Sequence, residues 1–186
     1  MFDALLVSTG TVALAEIGDK TQLLALLLAA RFRKPWPIVL GILAATILNH
    51  AVAAWLGQLV QSYLTPDVLR WVLGISFLAV AAWTLIPDKM EEEEHSAYRY
   101  GPFVATLILF FFAEIGDKTQ VATIMLAARY PSLVMVVSAT TLGMLIANVP
   151  VVWLGGKAAE RLPLRVIRTI AAGLFALLGV LALVGG

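Results

Sequence analysis

Six long apolar stretches, at about 4–30, 37–60, 68–86, 103–128, 133–154 and 166–184, dominate the chain. Proline, charge or both separate each stretch from the next. Arg31, Arg33, Lys34, Pro35 and Pro37 end the first, and Thr65-Pro66-Asp67 divides the second from the third. Pro87-Asp88-Lys89 opens a polar linker holding Glu91, Glu92, Glu93, Glu94 and His95, and Pro131 and Pro163 mark the later turns. Proline interrupts a helix because it lacks the N–H and crowds the residue before it. An apolar run of 18 or more residues is long enough to cross a bilayer. Away from water, such a run must satisfy its own backbone groups, so each is expected to be helical. Composition supports this. Hydrophobic residues make up 61% of the chain, charged residues 13%, and the mean hydropathy is +0.92, whereas a soluble domain carries about 25% charged residues. The pattern predicts an all-α polytopic membrane protein with six transmembrane helices.

The first stretch is expected to stay in the mature protein. Only Met1, Phe2 and Asp3 precede it, so it has no basic n-region, and it is too long for the apolar core of a signal peptide. No lipidation motif is visible. The absence of cysteine excludes disulfides, thiol catalysis and zinc–thiolate sites.

The six stretches fall into two sets of three. Ala15 to Gln22 reads AEIGDKTQ, and Ala113 to Gln120 reads the same, with Glu114 following Glu16 by 98 residues. The register persists without a gap. Leu28-Ala29-Ala30-Arg31 matches Leu126-Ala127-Ala128-Arg129, Trp55-Leu56-Gly57 matches Trp153-Leu154-Gly155, and Phe77 matches Phe175. The expected organisation is a first repeat at 1–86, an acidic linker at 87–101 and a second repeat at 102–186. A unit that crosses three times ends on the opposite side, so the second copy should enter inverted. Inverted repeats with a site at their interface are a recurrent transporter architecture.

Basic residues set the expected orientation. Arg31, Arg33, Lys34, Lys89, Arg99, Lys157, Arg161, Arg165 and Arg168 all fall on one side, nine of the 13 Lys and Arg. Arg70 and Arg129 lie near the other side, while Lys20 and Lys118 lie within spans. The positive-inside rule then puts the linker in the cytoplasm and both ends of the chain outside it.

The repeated motif places Glu, Asp and Lys halfway along spans 1 and 4. One ionised side chain at the bilayer centre costs about 2.5–3.5 kcal/mol on insertion scales, so three in each of two helices must face one another or a wet cavity. On a continuous helix turning about 100° per residue, Glu16, Asp19 and Gln22 form one stripe, Lys20 stands beside Glu16, and Thr21 lies well round the cylinder. Glu114, Asp117, Gln120, Lys118 and Thr119 repeat that arrangement. Gly18 and Gly116, between the acids, permit local unwinding that would free backbone carbonyls. Four carboxylates and two amides suit a hard or borderline divalent cation such as Mn²⁺, Ca²⁺ or Mg²⁺. With everything ionised, four acids and two lysines sum to −2, which balances one such ion. Without the ion, protons should take its place, so metal and protons compete for the same oxygens. A buried acid–lysine pair can also be pure helix-to-helix glue. Duplication together with Gln and Gly makes chemistry the better account, with the lysines as counter-charges. Asn49, His50 and Asn148 lie in spans 2 and 5, with His50 aligned to Asn148 by the repeat. They are expected either to complete the site or to hydrogen-bond between helices. The run Glu91 to His95 reads as a solvated linker. No nucleophile–base motif or zincin-type His spacing suggests an enzyme.

The paired motifs Glu16-Ile17-Gly18-Asp19-Lys20-Thr21 and Glu114-Ile115-Gly116-Asp117-Lys118-Thr119 resemble those of the Golgi-type manganese/calcium:proton antiporters, a likeness that covers essentially the whole chain. The compact length is similar to that of the bacterial branch, whose members resemble manganese exporters. The resemblance implies Mn²⁺ efflux against protons across a bacterial plasma (inner) membrane, with the motif acids as ligands and Ca²⁺ as the alternative substrate. It implies no cofactor beyond the transported metal. The partners are the ion, protons and lipid, with no nucleic acid. Single cysteines at Phe2, Glu92 and Gly186 test the orientation. On intact cells an impermeant thiol reagent should label positions 2 and 186 and spare 92. Labelling at 92 from outside would reverse it.

Overall fold

The structure, a computed structural model, describes residues 2–86, 96–154 and 164–185. Glu91 to His95, Lys89, Lys157 and Arg161 lie outside the described residues. Among the described residues every regular element is helical. In chain order these are α1 (Phe2–Glu16), α2 (Lys20–Phe32), α3 (Pro35–Tyr63) and α4 (Pro66–Thr84), then a 3₁₀ turn (Ser96–Tyr100). They continue with α5 (Gly101–Glu114), α6 (Lys118–Arg129), α7 (Leu133–Leu154) and α8 (Leu164–Val184). Prolines at the first turns of α3, α4 and α5 sit where a missing N–H costs nothing.

Among the described residues, five helices are long and apolar enough to cross a membrane: α3, α4, the 19-residue run Ser96–Glu114, α7 and α8. The stretch at 4–30, read as one span, is built from two helices of 15 and 13 residues, interrupted at the glycine that permits local unwinding. The stretch at 103–128 divides in the same way between α5 and α6. The cause is local. Gly18 and Gly116 adopt φ of +81° and +75°, a left-handed backbone that side-chain-bearing residues rarely adopt. Asp19 and Asp117 follow in extended conformation, with ψ of 169° and 166°. The helical ladder therefore stops at Glu16 and Glu114 and restarts at Lys20 and Lys118. One consequence corrects the sequence reading: the acids do not form a stripe along one cylinder, because the turn at each glycine resets the direction of everything after it.

The long helices pack by close backbone approach. α1 lies along α7, α3 along α5, α6 and α7, and α4 along α8. Phe77 of α4 stacks on Phe175 of α8 with ring centroids 6.4 Å apart, so two residues equivalent in the repeat meet each other. Large apolar side chains such as Trp36, Leu48, Trp71, Ile75 and Leu177 point outward, as lipid-facing positions do. At the crossing of α7 and α1, a Cβ on Gly143 would stand 2.6 Å from the Thr9 carbonyl oxygen and 3.0 Å from the Ala13 nitrogen. Backbone cannot yield there, so glycine sets the spacing.

Gly143→Val should cost about 3 kcal/mol or more through overpacking against backbone. Gly173, on the exposed face of α8, has nothing within 4 Å of its Cβ position. Thermal unfolding in detergent should show a large loss for Gly143→Val and none for Gly173→Val.

Candidate metal site

The two helix breaks face each other, and the site is built from what they release. Glu16 and Glu114 end α1 and α5, so each carboxylate sits at the electronegative end of a half-helix, where a cation is favoured. Asp19 and Asp117 occupy the N-cap positions of α2 and α6, yet neither side chain caps its helix. Their carboxylates turn into the interface. One oxygen each from Glu16, Asp19 and Asp117 lies within 4.8 Å of the others, and all three residues are buried. Glu114 is fully buried beside them but outside that trio.

The lysines cross between halves. Lys118 Nζ donates to Asp19 Oδ1 at 2.7 Å, with both side chains almost wholly buried. Lys20 Nζ stands 3.5 Å from Asp117 Oδ1 and keeps 30% of its side chain exposed. Each half thus supplies the cation for the other half's aspartate. Among the described residues no basic group comes within ion-pair distance of Glu16 or Glu114. Glu16 Oε1 accepts from Asn148 Nδ2 at 3.4 Å, and Glu114 Oε2 accepts from Thr119 Oγ1 at 3.1 Å. Glu16 Oε2 and Glu114 Oε1 have no hydrogen-bond partner among the described residues. A buried carboxylate oxygen left this way is a costly group, and a metal ion or a proton would satisfy it.

The glutamines hold the breaks open. Gln22 Oε1 accepts the Gly18 N–H at 2.9 Å, and Gln120 Oε1 accepts the Gly116 N–H at 2.7 Å. These donors have lost their helical partners, and the side chain replaces them. Gln22 Nε2 also donates to the Ala147 carbonyl in α7 at 3.0 Å. The two turns differ in their surroundings: a Cβ on Gly18 would meet Leu164 of α8, while the space about Gly116 is open.

The remaining sequence-derived residues divide by role. Asn148 reaches Glu16. Asn49 Nδ2 instead donates to the Phe111 carbonyl at 3.0 Å and ties α3 to α5. His50 is fully buried, with neither ring nitrogen hydrogen-bonded among the described residues. Thr21 and Thr119, expected away from the acids, are both fully buried, and Thr119 bonds Glu114 directly. The broken helix is the reason, since it removes the rotation that a continuous one would impose. The sequence signal for these threonines was already present, as both stand inside the repeated motif. The Ala147 carbonyl has no such signal.

Comparison with known proteins points the same way. Residues 4–92 and 102–186 match the family model described as divalent cation/proton antiporter GDT1. The chain is 59% identical over 179 residues to the "Putative manganese exporter" of Vibrio cholerae, a match covering 96% of this chain and 89% of that protein. It is 32% identical over 203 residues to GDT1-like protein 3 of Oryza sativa, covering 94% and 71% respectively. It is also 30% identical over 136 residues to GDT1-like protein sll0615 of Synechocystis, covering 63% and 66%. No solved structure matches the chain. The chain, matched by that model over nearly its whole length, belongs to the GDT1 family of divalent cation/proton antiporters.

Proposed function

We propose that this chain exports Mn²⁺ from a bacterial cytoplasm in exchange for protons, through one site shared by two inverted three-helix units. The observation that carries the reading is the trio Glu16, Asp19 and Asp117, buried oxygen donors contributed by both halves. In this reading α1 and α2 together form the first span and α5 and α6 the fourth, giving six crossings with both ends outside the cytoplasm. The meeting of Phe77 with Phe175 supports an axis relating the halves, because residues near a two-fold axis contact their own counterparts. Glu114 completes the acid set. Gln22 and Gln120 use one lone pair of each Oε1 on a glycine N–H, and the second is free for the ion. Broken spanning helices whose C-terminal ends face a cation are a recurring transporter device.

Oxygen donors alone accept Mn²⁺ and Ca²⁺ alike, and the relative named as a manganese exporter favours Mn²⁺. Uptake by proteoliposomes should therefore compare Mn²⁺, Ca²⁺ and Mg²⁺ under an imposed pH gradient. Mn²⁺ movement driven by the gradient is expected. Flux indifferent to the gradient would mark a passive channel instead.

Both halves supply the site, so Glu16→Gln and Glu114→Gln should each cut transport at least ten-fold while leaving membrane insertion intact. Near wild-type flux in either variant would end the shared-site reading.

Charge sets the coupling. Four carboxylates and two ammonium groups sum to −2, which one Mn²⁺ balances, and among the described residues the two glutamates hold no ion pair. When the ion departs, a proton on each restores neutrality, which gives about two H⁺ per Mn²⁺ and little net charge moved. Apparent Mn²⁺ affinity should then fall as pH drops, because protons occupy the oxygens the metal needs. Transport should also continue with the membrane potential held at zero. A reversal point that follows voltage rather than pH would exclude this exchange.

A further inference from the structure

We infer that Lys118 and Lys20 compete with the transported cation for the two aspartates, each swinging off its aspartate within the site when the metal arrives and returning when it departs. The inference rests on the metal-transport reading above. Its starting point is one contact: Lys118 Nζ lies 2.7 Å from Asp19 Oδ1, with 3% and 1% of the two side chains exposed. Asp19 also belongs to the oxygen trio with Glu16 and Asp117, spaced within 4.8 Å. A divalent cation bound through oxygens at about 2.0–2.6 Å needs donors no farther apart than that. It would be drawn to the carboxylate that holds the ammonium.

In a buried site an ammonium and a divalent ion on one carboxylate repel each other with little screening. That repulsion favours moving the ammonium aside. Lysine is suited to do so, because its charge rides on a flexible four-carbon stem and can swing aside without backbone change. The two lysines stand at different points of such a swing. Lys118 is sealed on Asp19, while Lys20 is 3.5 Å from Asp117 and 30% exposed. The positions are equivalent in the repeat, so the same residue type is held at two different distances from its aspartate. Each lysine also comes from the half opposite its aspartate. Withdrawing it loosens the two halves from each other, and restoring it draws them together. The lysines therefore serve the return leg, in which the carrier recrosses without metal.

The test is Lys118→Gln beside Lys118→Arg, in purified protein and in proteoliposomes. Three quantities are read: Mn²⁺ affinity by titration, Mn²⁺/Mn²⁺ exchange, and net Mn²⁺ movement driven by a pH gradient. Lys118→Gln removes the competitor, so Mn²⁺ should bind at least ten-fold more tightly. Net movement should fall at least ten-fold, and exchange, which needs no metal-free return, should fall far less. Lys118→Arg keeps the competing charge, so its Mn²⁺ binding should not tighten. A lysine that is only a strut would, when removed, weaken binding and lower both fluxes together. That result overturns the inference, as does unchanged affinity in Lys118→Gln. If Lys118→Gln is not recovered folded, Lys20→Gln takes its place with the same readouts, and affinity no tighter than wild type is again decisive. Wild-type protein that binds neither Mn²⁺ nor Ca²⁺ would refute the transport reading itself. Binding by wild type without tightening in the variants would refute this inference alone.

Discussion

Charge neutrality in a place without water governs this molecule. Glu16, Asp19, Glu114 and Asp117 are buried together, and a group of four carboxylates cannot persist in a low-dielectric interior unless positive charge is brought to it. Two lysines bring part of that charge, and each is delivered across the interface rather than within its own half. The docking of the halves, the break in each motif helix and the tight crossings at small residues can all be read as conditions for that delivery. Had α1 run on unbroken into α2, Glu16 and Asp19 would lie on one rigid cylinder. Their directions would then be fixed by its rotation.

The break is stabilised by ordinary means. A glycine supplies the left-handed step, an extended aspartate restarts the chain, and a glutamine one turn later takes the orphaned N–H. Every element is within three residues of the acid it serves, so one short sequence encodes both the interruption and the ligands. That economy explains how the same eight residues could be used twice. It also means the functional groups move with the helix ends that carry them, whereas groups on a continuous helix would be fixed to a long rigid body.

Much of this was legible in the sequence, for a physical reason. Hydrophobic runs report burial in lipid directly, and an identical octapeptide at constant register reports duplication, so the long helices and the paired acids could be read from the residues alone. What could not be read depended on direction. An apolar run around Gly18 looks continuous, because periodicity does not register a change of axis, and Thr119 was accordingly placed away from Glu114, which it bonds. The crossing of Lys118 to Asp19 is a tertiary fact: within one helix, Lys118 is nearest to its own motif. Asn49 and Asn148 looked alike in sequence, yet one ties two backbones together while the other touches an acid.

The crossed pairs also bear on how the protein is made. A ribosome delivers the first half to the membrane before the second exists, and Asp19 then has no Lys118 to meet. Until α6 arrives, the first half carries an acid whose partner is still being synthesised. The same holds for a single unit expressed alone, which would have to find a second copy of itself to be neutral. Fusing the two units into one chain guarantees the partner at a fixed ratio. It also confines the exposed period to the time needed to translate from Asp19 to Lys118, 99 positions on.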